Sequence, residues 1–236
     1  MDVDNNGSLL RAFIRHYPKE WTPLVTNRVN NSIGMQGDAE LFDILVANDV
    51  QPSFEMLEGA VYTGEIDIID RLFCVSTEKV RALRADEDGV GRRSPFVDVI
   101  NAIDEEARFY YRSDVTHRLA MYGFNPNGNG TRPFPLEAAL TSLNVAAIED
   151  LLVLGANPNI IVESHNSSAL FFVVIEDRLP ISVLKLLVQY GADVNLVYDG
   201  MTALSMATGE RREYLLPLTD ANLHTIIVPR SPFMGS

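Results

Sequence analysis

Cysteine is nearly absent from this chain of 236 residues, which contains one, Cys74. A single cysteine excludes an internal disulfide and a metal site built from several cysteines. The neighbours Leu72, Phe73 and Val75 are apolar. We therefore expect Cys74 to be a buried, unreactive thiol rather than an exposed one.

Basic residues are also scarce, with 19 Lys and Arg against 32 Asp and Glu and a formal net charge of -13. Contacts to phosphates need clustered Lys and Arg, so this charge argues against nucleic-acid binding. The same charge would be repelled by an anionic membrane surface. It would instead steer in a protein partner with a basic surface.

Long apolar runs are missing as well. No window approaches the roughly eighteen uncharged apolar residues that a membrane-spanning helix needs. Residues 1–7 have neither the positive charge nor the apolar segment of a secretory signal. We therefore expect a cytoplasmic protein that does not associate with a membrane.

Recognisable catalytic and metal-binding motifs are lacking too. The four histidines form no H-E-x-x-H or paired arrangement, and there is no P-loop and no G-x-S-x-G. The acidic runs at 86–88 and 104–106 lack the spacing of a calcium loop. We expect no cofactor, no metal ion and no enzymatic activity.

The chain does contain an internal repeat. Gly-Ala-Asn-Pro-Asn at 155–159 recurs as Gly-Ala-Asp-Val-Asn at 191–195, with a weaker copy at 123–127, and each copy follows an apolar helical run. The glycines are typical of the left-handed residue just past a helix. The Asn or Asp that follows favours a tight turn.

A helix-start signal precedes each of these apolar runs. Thr or Ser can cap the first amides of a helix, and Pro is preset for its first position. Such signals fall near positions 22, 55, 94, 134, 168 and 202, at spacings of 33, 39, 40, 34 and 34 residues.

With this period and these motifs the sequence resembles the ankyrin repeat family, whose unit reads roughly D-G-x-T-P-L-H-x-A-A-x-x-G-x-x-x-x-V-x-x-L-L-x-x-G-A-D-x-N. The resemblance implies an all-α fold, an ankyrin-repeat solenoid of about six helix-turn-helix units with irregular N-terminal units and capping ends. Residues 22–222 would form the array, 1–21 an N-terminal capping helix and 223–236 an extended C-terminal tail.

The chain departs from the family in two respects. The family usually has His after T-P-L, and this histidine holds neighbouring turns together. None of the six repeats here has a histidine at that position, so we expect looser turns and lower stability. Those positions hold Val25, Glu58, Val97, Glu137, Phe171 and Ser205. Extra residues at 75–93 and 104–113 are either binding loops or tolerated surface variation.

The resemblance also implies that a partner is held on the concave side, by the turn tips and the inner helices. The residues predicted to bind a partner are Asn129, Arg132, Glu163, His165, Asn166, Tyr198, Asp199, Met201, Glu137, Tyr110 and Tyr111. Phe171 faces the same side, and we expect it to be part of the core.

Three functions are compatible with the sequence. The first is a non-enzymatic protein-protein interaction module, and the second is an acidic inhibitor or immunity-type protein that blocks a basic toxin, nuclease or defence enzyme. Clustered carboxylates on the concave face would favour the inhibitor, and scattered ones the module. The third, an enzyme, would need a site built by the insertions. Whether the protein is a monomer or a dimer stays open.

Overall fold

Short helices joined by tight turns make up most of the part of the chain that the structure describes, and this mostly helical structure is compatible with the all-α expectation. The computed structural model describes residues 29–30, 33–47, 53–74, 93–102, 111–198 and 200–223. The predicted capping helix, the helix start near 22, residues 75–92 and 104–110 of the insertions, and residues 224–236 of the tail lie outside these ranges. The chain divides into two compact units, Met1–Arg132 and Pro133–Ser236.

Among the described residues of the first compact unit, the helices are α1 (Ala39–Ala47), α2 (Phe54–Thr63), α3 (Ile66–Cys74), α4 (Pro95–Ile100) and α5 (Ser113–Met121), and residues 29–30 and 33–36 are also helical. Four of these helices form two contacting pairs. Helix α2 contacts α3, and α4 contacts α5. Helix α2 also contacts α4, so the first helices of the two pairs pack directly on each other.

The second compact unit has the same kind of pairing. Its helices are α6 (Pro135–Thr141), α7 (Val145–Val153), α8 (Ala169–Ile175), α9 (Ile181–Gln189), α10 (Ala203–Met206) and α11 (Gly209–Leu215). The first helices of the pairs, α6, α8 and α10, contact one another in order. The second helices, α7, α9 and α11, do the same.

Burial differs between first and second helices. In α8 every residue from Ala169 to Val174 is buried, whereas α7 buries one face that includes Ile148 and Leu151. A helix that is apolar all round lies inside a structure, and an amphipathic one lies at its surface. The core of this compact unit is therefore centred on α6 and α8.

Two short antiparallel hairpins connect consecutive pairs in the second compact unit. Strand β1 (Ile161–Val162) pairs with β2 (Ser167–Ser168), and a 3-10 turn (Glu163–His165) lies between them. Strand β3 (Val197–Tyr198) pairs with β4 (Met201–Thr202). These hairpins carry five of the predicted contact residues, Glu163, His165, Asn166, Tyr198 and Met201.

The predicted turn chemistry is confirmed where the structure describes it. Gly155 and Gly191 have φ of 94° and 93°, in the left-handed region. After Gly155, Oδ1 of Asn157 accepts the backbone N–H of Asn159 at 2.9 Å, and the same bond recurs at 193–195 at 2.9 Å. A side-chain acceptor placed in this way closes the turn locally.

The predicted helix starts near 94, 134, 168 and 202 are confirmed, and the start near 55 is shifted. Side-chain caps are present at two of the confirmed starts. The Ser168 hydroxyl accepts the N–H of Phe171 at 3.2 Å, and the Thr202 hydroxyl accepts that of Ser205 at 3.1 Å. Helix α2, however, begins before the anchor that we placed near 55. Ser53 caps it, because Ser53 supplies the short side-chain oxygen that a helix start requires.

Asparagine side chains tie successive turns together. Nδ2 of Asn159 donates to the carbonyl of Gly191 at 3.0 Å, and its Oδ1 accepts the N–H of Asp193 at 2.8 Å. One pair further on, Oδ1 of Asn195 accepts the N–H of Asp220 at 2.8 Å. These bonds fix the spacing between the turns of neighbouring pairs.

Arg211 satisfies backbone carbonyls at the end of α8. Its Nη1 donates to the carbonyl of Val174 at 2.9 Å. Its Nη2 donates to those of Glu176 at 3.1 Å and Leu179 at 2.5 Å. The last carbonyls of a helix have no partner within it, so this guanidinium takes the place of a local cap.

The prediction for Cys74 was wrong, because this thiol is exposed. Cys74 is the last residue of α3, whose buried face consists of Ile68, Ile69, Leu72 and Phe73. Successive residues of a helix point about 100° apart, so apolar sequence neighbours do not ensure burial.

Candidate partner-binding surface

Glu137 lies in the first turn of α6 and binds two different backbone amides. Its Oε2 accepts the N–H of Phe134, the N-cap residue, at 3.3 Å. Its Oε1 accepts the N–H of Glu163 at 2.8 Å, which joins α6 to the next hairpin. The residue is 5% exposed. We predicted that Glu137 contacts a partner; a buried carboxylate that holds two amides is not presented to one.

The same bonds bear on the predicted looseness of the turns. Glu137 occupies the position at which the ankyrin family usually has His. A carboxylate here accepts N–H groups from its own turn and from the following hairpin. At this position a link between neighbouring turns exists without the histidine.

Replacing Glu137 with alanine is expected to lower the free energy of unfolding by about 2 kcal/mol, because two amides lose a charged acceptor in a buried place. Glu137→Gln keeps one oxygen acceptor and should cost less. Glu149→Ala is the matched control, since it removes the same charge from an exposed position of α7. Denaturant titration measures all three; equal losses for Glu137→Ala and Glu149→Ala would contradict the bridging role.

The two hairpins place five of the predicted residues at neighbouring tips. We call this set the tip surface: Glu163, His165, Asn166, Tyr198 and Met201. The Tyr198 hydroxyl donates to Oδ1 of Asn166 at 2.7 Å and so joins the tips directly. Tyr198 and Met201 are partners across the second hairpin. An aromatic and a thioether side chain thus lie together next to polar groups.

His165 lies at the edge of the tip surface and packs toward the core. Its ring meets Phe172 edge-on, with centroids 4.6 Å apart and an interplanar angle of 71°. Its Nδ1 lies 2.9 Å from the Ser164 hydroxyl. Although the side chain is exposed, the contact with Phe172 on α8 restricts where the ring can lie.

An ion pair next to His165 was missed by the sequence reasoning. Nε and Nη2 of Arg178 each donate to Glu176, both at 2.8 Å. These hydrogen bonds, with a smaller contribution from the charge of His165, lower the pKa of Glu176 to about 2. The three charged residues 176–178, directly after the apolar run of α8, were the signal in the sequence that could have indicated it.

The remaining predicted residues do not belong to the tip surface as defined. Asn129, Arg132 and Tyr111 lie in the first compact unit and are half-buried. Oδ1 of Asn129 accepts the N–H of Thr131 at 3.0 Å, a local turn bond. Tyr110 and Asp199 fall outside the described residues. Phe171, expected in the core, is 6% exposed, which confirms that expectation.

Within the described ranges, no three His, Cys, Asp or Glu side chains come together as metal ligands would. None of the helices described there is long and apolar enough to cross a membrane. In comparisons with known proteins, no family model and no curated protein matches the chain.

Proposed function

We propose that this chain is an ankyrin-like repeat protein whose function is to bind a protein partner, with no catalysis of its own. The partner is held by the tip surface together with the inner helices, α6, α8 and α10, and it presents a basic surface. The observation that carries the proposal is the hydrogen bond from Tyr198 to Asn166, which holds two neighbouring tips in one fixed arrangement before any partner arrives.

Preorganisation of this kind favours binding, because less conformational freedom is lost on association. Tyr and Met are suited to be contact anchors, since each buries a large area of mostly apolar surface. The ordered contacts of the first helices with one another and of the second helices with one another support the repeat architecture on which the proposal rests.

The charge of the tip surface favours an interaction module over an inhibitor. Glu163 is the acidic residue among the five described members, and Asp199, predicted at the same tips, lies outside the described residues. An inhibitor that covers a basic toxin or nuclease would be expected to gather carboxylates on its contact face. The net charge of -13 belongs to the molecule as a whole, and its long-range field would attract a basic partner.

Replacing Tyr198 and Met201 together with alanine is expected to weaken partner binding about 100-fold, because two contact anchors are truncated. Thermal unfolding should change little, since neither residue is in the core. The partner is first captured from the native host and identified by mass spectrometry. The purified pair is then measured by surface plasmon resonance. The matched control truncates an aromatic and an aliphatic residue elsewhere, Tyr190 and Val153, which are 37% and 55% exposed.

Two results would contradict the proposal. If the tip variant and the control bind equally well, the tip surface is not the contact face. If the tip variant unfolds at a much lower temperature, Tyr198 and Met201 are structural. The basic character of the partner is checked separately, since raising the salt from about 50 to about 300 mM must slow association if charge steers it.

A further inference from the structure

Asp98 is a carboxylic acid in the interior of the first compact unit. It lies in α4, in which every residue from Pro95 to Ile100 is buried, and α4 packs on both α2 and α5. The residue is 8% exposed. Burial penalises the ionised form of a carboxyl group, so a group in such a place is normally either fully hydrogen-bonded and ion-paired or uncharged.

The contacts of Asp98 compensate an ionised carboxylate only in part. Its Oδ2 is buried, and no group of the described residues forms a hydrogen bond with it. Its Oδ1 lies 3.6 Å from Nη2 of Arg93, beyond hydrogen-bond distance, and the Arg93 side chain is 58% exposed. Water therefore screens this ion pair. A buried oxygen without a donor costs more free energy when it is charged than when it is neutral.

Helix α2 contributes two titratable groups near Asp98. Glu58 and Tyr62 line the same pocket of about 230 Å³ as Asp98, and the helical residues 33–36 contribute the uncharged Met35. Glu58 has a further interaction within the chain. Its repulsion of the Asp98 carboxylate is weaker than the effect of burial and the attraction of Arg93.

Helix α5, which also contacts α4, has its charged groups paired with other residues. Asp114 pairs with Arg112 at 2.7 Å, and Arg118 pairs with Asp70 at 3.1 Å. Nδ1 of His117 lies 2.8 Å from a carbonyl oxygen of its own helix. The charge next to Asp98 that favours its ionisation is therefore the exposed one of Arg93.

The balance of these effects favours the protonated form of Asp98. Burial, the largest cause, raises the pKa of Asp98 from its ordinary value of 3.8 to about 6, against the attraction of Arg93 and with a small addition from Glu58. The buried oxygen without a donor and the long ion pair point in the same direction. The carboxyl group thus changes its charge in a mildly acidic range, inside the contact between two helices.

We propose that Asp98 makes the contact between α2 and α4 a pH-sensitive element of the fold, which holds firmly when the carboxyl group is protonated and opens more readily when it is ionised. Opening lets the charge reach water. Helix α4 has six residues, and so short a helix depends on its packing. This device operates in the first compact unit and requires neither the tip surface nor a partner.

The direction of the pH dependence follows from the raised pKa. In the open state the carboxyl group regains its ordinary pKa, so opening releases a proton between about pH 4 and about pH 6. The stabilising contribution of protonated Asp98 is complete below about pH 4 and is lost as the pH rises through about 6. Opening of the contact should therefore be about tenfold rarer at pH 5 than at pH 7.5.

Two NMR measurements on the full chain test the proposal. The carboxyl carbon of Asp98 should titrate with a midpoint near pH 6. Hydrogen exchange of the α2 and α4 amides, corrected for the intrinsic rate at each pH, should show about tenfold greater protection at pH 5 than at pH 7.5. Asp98→Asn stays uncharged at both pH values and should abolish this difference. Glu149→Gln, which removes an exposed carboxylate from α7, should retain it.

Arg93→Gln is a further variant that leaves Asp98 in place. Loss of the attracting guanidinium should move the midpoint of Asp98 upward, and a downward shift would contradict the account of the neighbouring charges. The proposal is overturned if Asp98 titrates near pH 4, or if wild type and Asp98→Asn change in protection alike between the two pH values. The titration uses the unaltered chain, so it decides the question even if Asp98→Asn fails to fold.

Discussion

Replacing Phe172 with alanine is expected to lower the free energy of unfolding by about 3–5 kcal/mol. Phe172 is 2% exposed and lies in α8, which contacts both α6 and α10. Because α8 is buried along most of its length and contacts helices of two neighbouring pairs, a cavity left there would collapse poorly. The loss would therefore include a cavity contribution as well as the lost burial.

Denaturant unfolding of Phe172→Ala, Phe172→Leu and Val153→Ala measures this effect. Leucine fills part of the space and should cost less than alanine. Val153 is 55% exposed, so its truncation should change stability by less than about 0.5 kcal/mol. A small loss for Phe172→Ala would mean that α8 does not occupy the centre of the core. His165, which rests on the Phe172 ring, should gain mobility in the alanine variant.

The second large effect is expected at Gly34, where adding one methyl group should cost about 3 kcal/mol or more. A Cβ at this position would lie 2.2 Å from the carbonyl oxygen of Met56 and 2.9 Å from the backbone nitrogen of Ala60. Both atoms are backbone atoms of α2, so no side-chain rotation relieves the clash. The hydroxyl of Thr63 donates to the Gly34 carbonyl at 3.3 Å in the same contact.

Gly155→Ala is the control for Gly34→Ala. Nothing lies within 4 Å of a Cβ built at Gly155, and its φ is +94°. Alanine at Gly155 therefore introduces only backbone strain, which costs roughly 1–2 kcal/mol. Thermal and denaturant unfolding should rank Gly34→Ala as clearly the more damaging substitution. The reverse order would show that the helical residues 33–36 do not approach α2 this closely.

Features set by a few consecutive residues could be predicted from the sequence. The left-handed glycine at 155, the turn bond made by Asn157 and the cap at Thr202 all depend on neighbours within about four positions. The periodic spacing of apolar residues likewise predicted where the helices lie along the chain. The exception is the start of α2. Ser53 caps this helix, so the helix begins before the position near 55 that the repeat spacing predicted.

Features that join distant parts of the chain could not be predicted. The hydrogen bond between the Glu137 carboxylate and the amide of Glu163 joins residues 26 positions apart. Because of this bond, Glu137 has a structural role and not the predicted role in partner binding. The burial of Asp98 in α4 likewise depends on how α2 and α4 meet. In the sequence, Asp98 is an ordinary charge within an apolar segment, and its missing hydrogen-bond donor becomes visible only when the packing is known.

The exposure of Cys74 has a practical consequence for studying the protein. Because the chain has no other cysteine, a maleimide dye would attach at one position and report on one place, the end of α3. No background thiol would have to be removed by mutation. The same accessibility means that air oxidation would join two chains through these sulfurs, so the native molecular mass must be measured in the presence of a reductant.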